Sequence, residues 1–264
     1  MNASREIEVT GARLRCRDEG AGPALVFVHG WTLDLDVWEP QAPLAAEMRV
    51  VRYDRRGFGL SGGEPSLARD VADLGELLAT LGIARPLLVG MSQGARVVLE
   101  FAARHPHLVH GLVLDGPPPL VAGDADDDSP LEPLWQIAAR DGLEAFRRAW
   151  RSHPLMQLAS SDARMHALLE RIVARYPGRD LLQPPPRDTL DEPLLAGIRI
   201  PTLIINGARD TASRRRAGAA LQATLAHAER VLIQDAAHLP NLEAPREYNR
   251  LMSGFAHRHL PAAA

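Results

Sequence analysis

The segment Gly90-Met91-Ser92-Gln93-Gly94 has the clearest chemical potential in the chain. It follows a short apolar run, residues 87–89, and precedes a helical pattern that starts near Gln93. A serine on a tight turn between a strand and a helix exposes its hydroxyl, and the flanking glycines keep Cβ atoms away from neighbouring backbone. The segment therefore predicts Ser92 as a nucleophile. The alternative is that Ser92 only caps the helix that follows.

A serine hydroxyl is a weak nucleophile, so it needs an imidazole that takes its proton and a carboxylate that orients the imidazole. Asp210 and His238 each lie shortly after an apolar run, residues 202–205 and 231–233. Parallel strands bring their carboxyl ends to one edge of a sheet. We therefore predict Ser92 as nucleophile, His238 as general base and Asp210 as orienting acid.

Each of these assignments has an alternative. Asp115 ends the apolar run 112–114, one strand earlier, and is the rival orienting acid. Asp210 could instead cap the helix predicted over residues 213–221, and His238 could be an ordinary loop histidine.

The tetrahedral intermediate of acyl transfer needs two donors aimed at its oxyanion. The amide of Gln93 is one candidate, because it follows the nucleophile directly. The other is the amide of Trp31, in the loop after the apolar run 24–28. Trp31 could also be a packed aromatic residue, a role that leaves its amide free to donate, and His29 is expected to hydrogen-bond to backbone.

Short apolar runs alternate with helical patterns along both flanks of the chain. The runs cover residues 24–28, 49–53, 87–89, 112–114, 202–205 and 231–233, and the helical patterns cover 67–81, 93–104 and 246–257. Uninterrupted apolar runs indicate parallel strands covered by helices on both faces. Residues 6–9 and 13–17 alternate instead, which predicts an edge hairpin. The pattern predicts an α/β fold with a mostly parallel sheet flanked by helices.

The alternation stops between residues 117 and 199. This stretch holds an acidic run at 124–128, amphipathic helical patterns across 131–176 and three prolines at 184–186. We predict a core formed by residues 1–116 and 200–264, with 117–199 as an inserted helical cap. A separate helical domain is the alternative. Trp135, Trp150 and Met156 are the predicted substrate-binding residues, although helix packing demands similar side chains.

Composition narrows the function classes. The formal charge is −3 and every Lys or Arg position is Arg, so neither nucleic acid, nor a membrane surface, nor lysine Schiff-base chemistry is expected. Cys16 is the single cysteine, and residues 1–20 lack the apolar stretch of a signal peptide. We expect a cytoplasmic protein that acts on a small molecule without a cofactor. Whether it forms a homo-oligomer is left open.

Other clusters have simpler explanations. His105, His107 and His110 lie near a predicted helix end without a metal-binding spacing, so no metal site is expected. The basic run 214–216 could attract an acidic substrate but is expected to be a solvated helix face. Asp54 is expected to brace loops through hydrogen bonds.

Five ordered motifs together resemble the α/β-hydrolase superfamily. They are His29-Gly30-Trp31, Tyr53-Asp54-Arg55-Arg56-Gly57-Phe58-Gly59-Leu60-Ser61, Gly90-Met91-Ser92-Gln93-Gly94, Asp210 and His238, spread over residues 6–116 and 200–258. The segments around Trp31 and Asp54 are similar to arylesterases, perhydrolases and cofactor-free haloperoxidases, and residues 238–243 to enol-lactonases and C–C bond hydrolases. One departure is Thr211-Ala212-Ser213-Arg214, where such relatives often carry a proline.

The resemblance implies a shared nucleophile, acid and histidine with a variable cap that selects the substrate. The leading hypothesis is a serine hydrolase of a small carboxylic ester or lactone. A C–C bond hydrolase, or a cofactor-free perhydrolase or haloperoxidase, would use the same triad. A non-catalytic ligand-binding member of the fold is the third class.

Overall fold

The computed structural model describes residues 4–120, 131–183 and 190–260. The acidic run at 124–128 and the prolines at 184–186 lie outside the described residues. Within them no helix is long and apolar enough to cross a membrane.

Eight strands form one sheet in the order β1-β2-β4-β3-β5-β6-β7-β8. They are β1 Arg5–Val9, β2 Ala12–Glu19, β3 Ala24–Val28, β4 Arg49–Tyr53, β5 Leu87–Met91, β6 Gly111–Asp115, β7 Thr202–Gly207 and β8 Ala228–Ile233. The hairpin β1-β2 pairs antiparallel, as predicted, and β2 also runs antiparallel to β4. The other neighbours are parallel, so their carboxyl ends meet at one edge. The predicted fold class is confirmed.

Helices cover both faces of this sheet. They are α1 Leu67–Thr80, α2 Gln93–Arg104, α3 Glu132–Arg151, α4 Ala163–Arg175, α5 Glu192–Ala196, α6 Ala212–Thr224, α7 Pro240–Glu243 and α8 Pro245–His259. Along β3, Leu25 and Phe27 join one hydrophobic cluster and Val26 and Val28 the other. Side chains of a strand alternate between its faces, so an uninterrupted apolar run feeds two cores.

The sequence patterns did not predict the 3₁₀ helix Leu35–Ala46, which contains Pro40 and Pro43. Asp34 caps it by accepting a hydrogen bond from the Asp36 amide. Trp38 and Leu44 of this helix are buried against the sheet. The prolines obscure a helical pattern because they normally interrupt α-helices.

Between β6 and β7 the described chain is helical. It contains α3, α4 and α5 together with three-residue and four-residue 3₁₀ turns at Pro154–Met156 and Arg179–Leu182. We call residues 131–183 the helical insertion. Its buried side chains, such as Phe146, Trp150 and Leu169, belong to the same hydrophobic cluster as one face of the sheet.

Candidate active site

Ser92 lies directly after β5, at the turn into α2. Its backbone has φ 49° and ψ −120°, a conformation that is strained for a residue with a Cβ. The turn is held by two backbone hydrogen bonds, from the Ser92 amide to the Asp115 carbonyl at 2.7 Å and from the Ala95 amide to the Ser92 carbonyl at 2.8 Å. The Ser92 side chain makes no capping hydrogen bond with α2. The hydroxyl is therefore not engaged in helix capping.

Two glycines allow this turn to pack tightly. A Cβ on Gly90 would lie 2.4 Å from the Gly94 carbonyl oxygen, and a Cβ on Gly94 would lie 2.2 Å from that of Val28. Both distances are far below van der Waals contact. The elbow around Ser92 thus depends on glycine at both flanking positions.

The imidazole of His238 is hydrogen-bonded to Asp210. The distance from Nδ1 to Oδ2 is 3.0 Å, and both side chains are buried. The neutral tautomer that donates from Nδ1 to a carboxylate, which only accepts hydrogen bonds when ionised, has its lone pair on Nε2. The other carboxylate oxygen, Oδ1, accepts from the Thr211 amide at 2.7 Å. Thr211, rather than Asp210, caps α6.

Close packing positions the histidine loop. The His238 ring lies over Gly116, where a Cβ would come within 2.9 Å of Cε1 and where φ is +50°. A Cβ on Gly207 would lie 1.9 Å from the Ala237 carbonyl oxygen. The Ala237 amide donates to Glu243 Oε1 at 2.8 Å. The absence of a side chain at Gly116 therefore makes room for the imidazole.

Asp115, the rival acid, is fully buried at the end of β6. Within the described residues its carboxyl oxygens make no hydrogen bond of normal geometry, and the Tyr248 hydroxyl is a donor in their neighbourhood. Burial raises the pKa of this carboxyl well above its usual value, the charges of Asp210 and Glu243 raise it further, and neighbouring Tyr248 offsets only part of the change. The structure therefore brings Asp210, and not Asp115, to the imidazole.

Ser92 and His238 line one cavity of about 190 Å³, which is room for a small organic molecule. The predicted substrate-binding residues Trp135, Trp150 and Met156 all lie in its wall. Other apolar residues of the wall are Leu33, Met91, Leu131, Leu155 and Leu239. Most of the wall therefore offers no hydrogen bonds.

Trp31 and Gln93 flank Ser92 in this cavity. A Cβ on Gly30 would lie 3.3 Å from the Ser92 Cβ, so the loop after β3 approaches the elbow closely. Gln93 is the first residue of α2, and the first amides of a helix have no intrahelical acceptor. The Trp31 indole stacks on Trp135 with ring centroids 4.5 Å apart. The packed-aromatic role and the predicted amide role of Trp31 are thus compatible.

Two further side chains, those of His29 and Asp54, have structural contacts. His29 bonds to the Gly30 carbonyl and to the Arg55 amide, both backbone groups. Asp54 accepts from the amides of Leu35 and Leu60, at 2.7 and 2.8 Å, and so braces two loops.

The histidines at 105, 107 and 110 are not part of a metal-binding group. Among the described residues no cluster of three His, Cys, Asp or Glu side chains could hold a metal ion. His110 instead contacts the Arg85 carbonyl at 2.8 Å.

The expectation of a solvated basic run at 214–216 is wrong for its first residue. Arg216 is exposed and Arg215 half-buried, but Arg214 is 2% exposed and lines the cavity with Ser92 and His238. The sequence analysis gave an acidic substrate only as the alternative for this run, because the start of α6 was predicted without knowing which side faces the catalytic edge. A signal was available, since Arg214 lies only four residues after Asp210.

The chain belongs to the alpha/beta hydrolase fold family, whose model matches residues 23–245. It is an enzyme, an alpha/beta-fold hydrolase, and its curated relatives carry hydrolase names. The hydrolase names of these relatives count against the alternative of a non-catalytic member of the fold.

The chain is similar to some relatives over nearly its whole length and to others over about half of it. It is 28% identical over 250 residues to a pimeloyl-[acyl-carrier protein] methyl ester esterase of Edwardsiella ictaluri, covering 90% of this chain and 95% of that one. It is 35% identical over 129 residues to a 2-(acetamidomethylene)succinate hydrolase of Mesorhizobium japonicum, which spans 47% of this chain and 46% of the relative. The fold matches the enol-lactonase of Burkholderia xenovorans with a TM-score of 0.82 at 24% identity, covering 96% and 100% of the two chains.

Proposed function

We propose that this enzyme hydrolyses a small carboxylic ester or lactone with Ser92, His238 and Asp210 as its catalytic triad. The observation that carries the proposal is the cavity that Ser92 and His238 share, with the serine on a strained turn and the imidazole held by Asp210. Strain of this kind persists only where the surrounding structure imposes it, and it clusters at functional sites.

The proposed reaction is acyl transfer in two stages. The Ser92 hydroxyl oxygen attacks the substrate carbonyl while Nε2 of His238 takes its proton. The amides of Trp31 and Gln93 donate to the oxyanion. The protonated imidazole then gives its proton to the leaving alkoxide, which departs as an alcohol. Water, activated by His238, attacks the acyl-enzyme and releases the carboxylic acid.

The helical insertion is proposed to act as the cap over this cavity. Trp135, Trp150 and Met156 come from the insertion, whereas Ser92 and His238 come from the sheet edge. The wall and the reactive groups thus come from different parts of the chain. The wall can therefore select which substrate shapes fit, while the catalytic chemistry stays the same.

Replacing Ser92 tests the triad. We expect Ser92→Ala to lower kcat for p-nitrophenyl esters by about 10⁴-fold or more, because the variant lacks the hydroxyl that attacks the substrate. A fluorophosphonate probe should label the wild type at Ser92, as seen by peptide mass spectrometry, and should leave the variant unlabelled.

The matched control is Ser253→Ala on α8, away from the cavity. It should keep wild-type turnover and labelling. If Ser92→Ala kept its kcat while remaining folded by circular dichroism, the triad proposal would be wrong. Turnover of dienoate-type C–C substrates in preference to esters and lactones would keep the triad and reassign the reaction.

A further inference from the structure

Arg214 is a cation inside the proposed catalytic cavity. Its side chain is almost completely buried and lines the same cavity as Ser92 and His238. Among the described residues of the wall, Glu132 also carries a charged side chain, a carboxylate, and this residue is exposed. The cavity therefore combines an apolar wall with one buried positive charge.

The backbone of Arg214 is fixed relative to the sheet edge. Its amide donates to the capping hydroxyl of Thr211, and its carbonyl accepts from Asn206 Nδ2 at 3.2 Å. The Asn206 Oδ1 atom accepts from Arg230 Nε at 2.9 Å, and Arg230 also bonds to the Arg215 carbonyl. The carbonyls of Arg214 and Arg215 are thus bonded to side chains from β7 and β8. These bonds fix the backbone from which the Arg214 side chain extends.

A guanidinium suits one kind of ligand group. It stays charged at any physiological pH and presents five N–H donors in a planar fork that matches a carboxylate. Arg214 also interacts within the protein, and a guanidinium with five donors can take part in more than one interaction at the same time. In a wall that is otherwise apolar, an anionic substrate group gains a charge-assisted hydrogen bond that a neutral group does not.

We propose that Arg214 binds an ionised carboxylate of the substrate, so that the preferred substrates are esters or lactones of dicarboxylic acids. This inference rests on the proposed ester or lactone hydrolysis at Ser92. One end of such a substrate would pair with Arg214 while the ester carbonyl at the other end meets the serine. Arg214 is then a specificity residue that touches substrate without taking part in proton transfer.

A matched pair of substrates tests this. The mono-p-nitrophenyl ester of adipic acid carries a carboxylate where p-nitrophenyl hexanoate, with the same number of carbons, carries a methyl group. We expect wild-type kcat/KM to favour the acidic ester. Arg214→Met should lower the ratio of the two kcat/KM values by about tenfold to a hundredfold, since a hydrogen bond between charged groups is worth that much. Arg214→Lys should lose less, because it keeps the charge without the fork.

Arg216→Met is the control for net charge, because Arg216 is exposed on the same helix. It should leave the ratio at the wild-type value. If Arg214→Met and Arg214→Lys reduced both esters equally, or if the wild type showed no preference, Arg214 would have a structural role only. Ser92-dependent turnover of the neutral ester in that case would leave the hydrolase proposal standing.

A second measurement does not depend on turnover. Trp31, Trp135 and Trp150 line the cavity, so their fluorescence should change when a ligand enters. Adipate, titrated into the wild type, should bind about tenfold or more tightly than into Arg214→Met, with Arg216→Met like the wild type. Equal affinity for all three proteins would overturn the inference whether or not esters are hydrolysed.

Discussion

Two residues beside the cavity adopt backbone conformations that normally favour glycine. Ser92 has φ 49° and Thr32 has φ 62°, and they are the described non-glycine residues with positive φ. Such conformations cost on the order of 1–3 kcal/mol each. Thr32 is compensated by the Trp150 indole, which donates to its hydroxyl at 2.7 Å. A hydrogen bond from the helical insertion therefore helps to hold Thr32 in its strained conformation.

The two candidate acids can be separated by isosteric substitution. Asp210→Asn should lower kcat by about 10³-fold to 10⁴-fold, because an amide at this position no longer fixes the tautomer of His238. Asp115→Asn should lower kcat by less than about tenfold, because Asp115 makes no hydrogen bond to the imidazole among those described. Steady-state kinetics on both variants measures the difference, and the reverse ranking would assign the orienting role to Asp115.

The same Asp115→Asn variant should change how stability depends on pH. Burial raises the pKa of Asp115, so the folded state holds a proton that the unfolded state releases above about pH 4. This group's contribution to the free energy of unfolding is thus full below that pH and decreases as the pH rises toward the folded-state pKa. We expect the Tm of Asp115→Asn to gain on the wild type as the pH rises above about 4. A Tm difference that did not change with pH over that range would contradict a raised pKa for Asp115.

At the scale of elements, the site depends on how closely α2 approaches β3. Gly94, in the first turn of α2, lies against the carbonyl oxygens of Val28 and His29. Those carbonyls belong to the segment that leads into the loop of Trp31. The distance between the proposed nucleophile and the proposed oxyanion donors is therefore set by a helix packing on a strand end.

Two Gly→Ala substitutions within helices should have opposite effects. Gly94→Ala places a Cβ 2.2 Å from the Val28 carbonyl oxygen, so we expect the free energy of unfolding to fall by about 1–3 kcal/mol and ester turnover to drop. Gly254→Ala, in α8, meets nothing closer than Arg258 Nη1 at 3.8 Å and should raise stability by about 0.5–1 kcal/mol. Urea denaturation compares them. Equal effects would mean that α2 can move away from β3 at little cost.

At the scale of the whole molecule, the helical insertion is tied to the loop that follows β3. Arg175 of α4 pairs with Asp34 and Asp36 at 2.7 Å or less, and Asp34 is almost fully buried. The stacked pair of Trp31 and Trp135 forms a second tie. Substrate selection by the insertion would therefore depend on the same loop that is proposed to supply an oxyanion donor.

Arg175→Gln should loosen the helical insertion more than the sheet. Removing the cation leaves the buried Asp34 carboxylate without its main partner, which costs about 1–3 kcal/mol. We expect faster amide hydrogen exchange across residues 132–175, measured by mass spectrometry, with little change in β5 and β6. Arg171→Gln, an exposed residue of the same helix, is the charge control and should exchange like the wild type. Uniform exchange changes across the chain would indicate global destabilisation instead.

The sequence by itself determined the elements that rest on local signals. The apolar run 24–28 predicted β3 with its ends, because a strand buried on both faces favours apolar side chains throughout. The bounds of β4 were also predicted, although this strand carries Arg49 and the buried Arg52, which pairs with Glu19. The elbow at Ser92 was also visible, because its glycines and the adjoining strand and helix lie within a few residues of one another.

Only the tertiary structure decided the contacts between residues distant in the chain. Asp115 ends one strand of the sheet and Asp210 follows the next, and local sequence does not say which of them contacts His238. That depends on the path of residues 234–238 over Gly116. The sequence around Arg214 looks like the start of any basic surface helix. The burial of Arg214 follows from the position in which α6 packs against β7. Such choices are set by packing between elements, whose geometry no local pattern encodes.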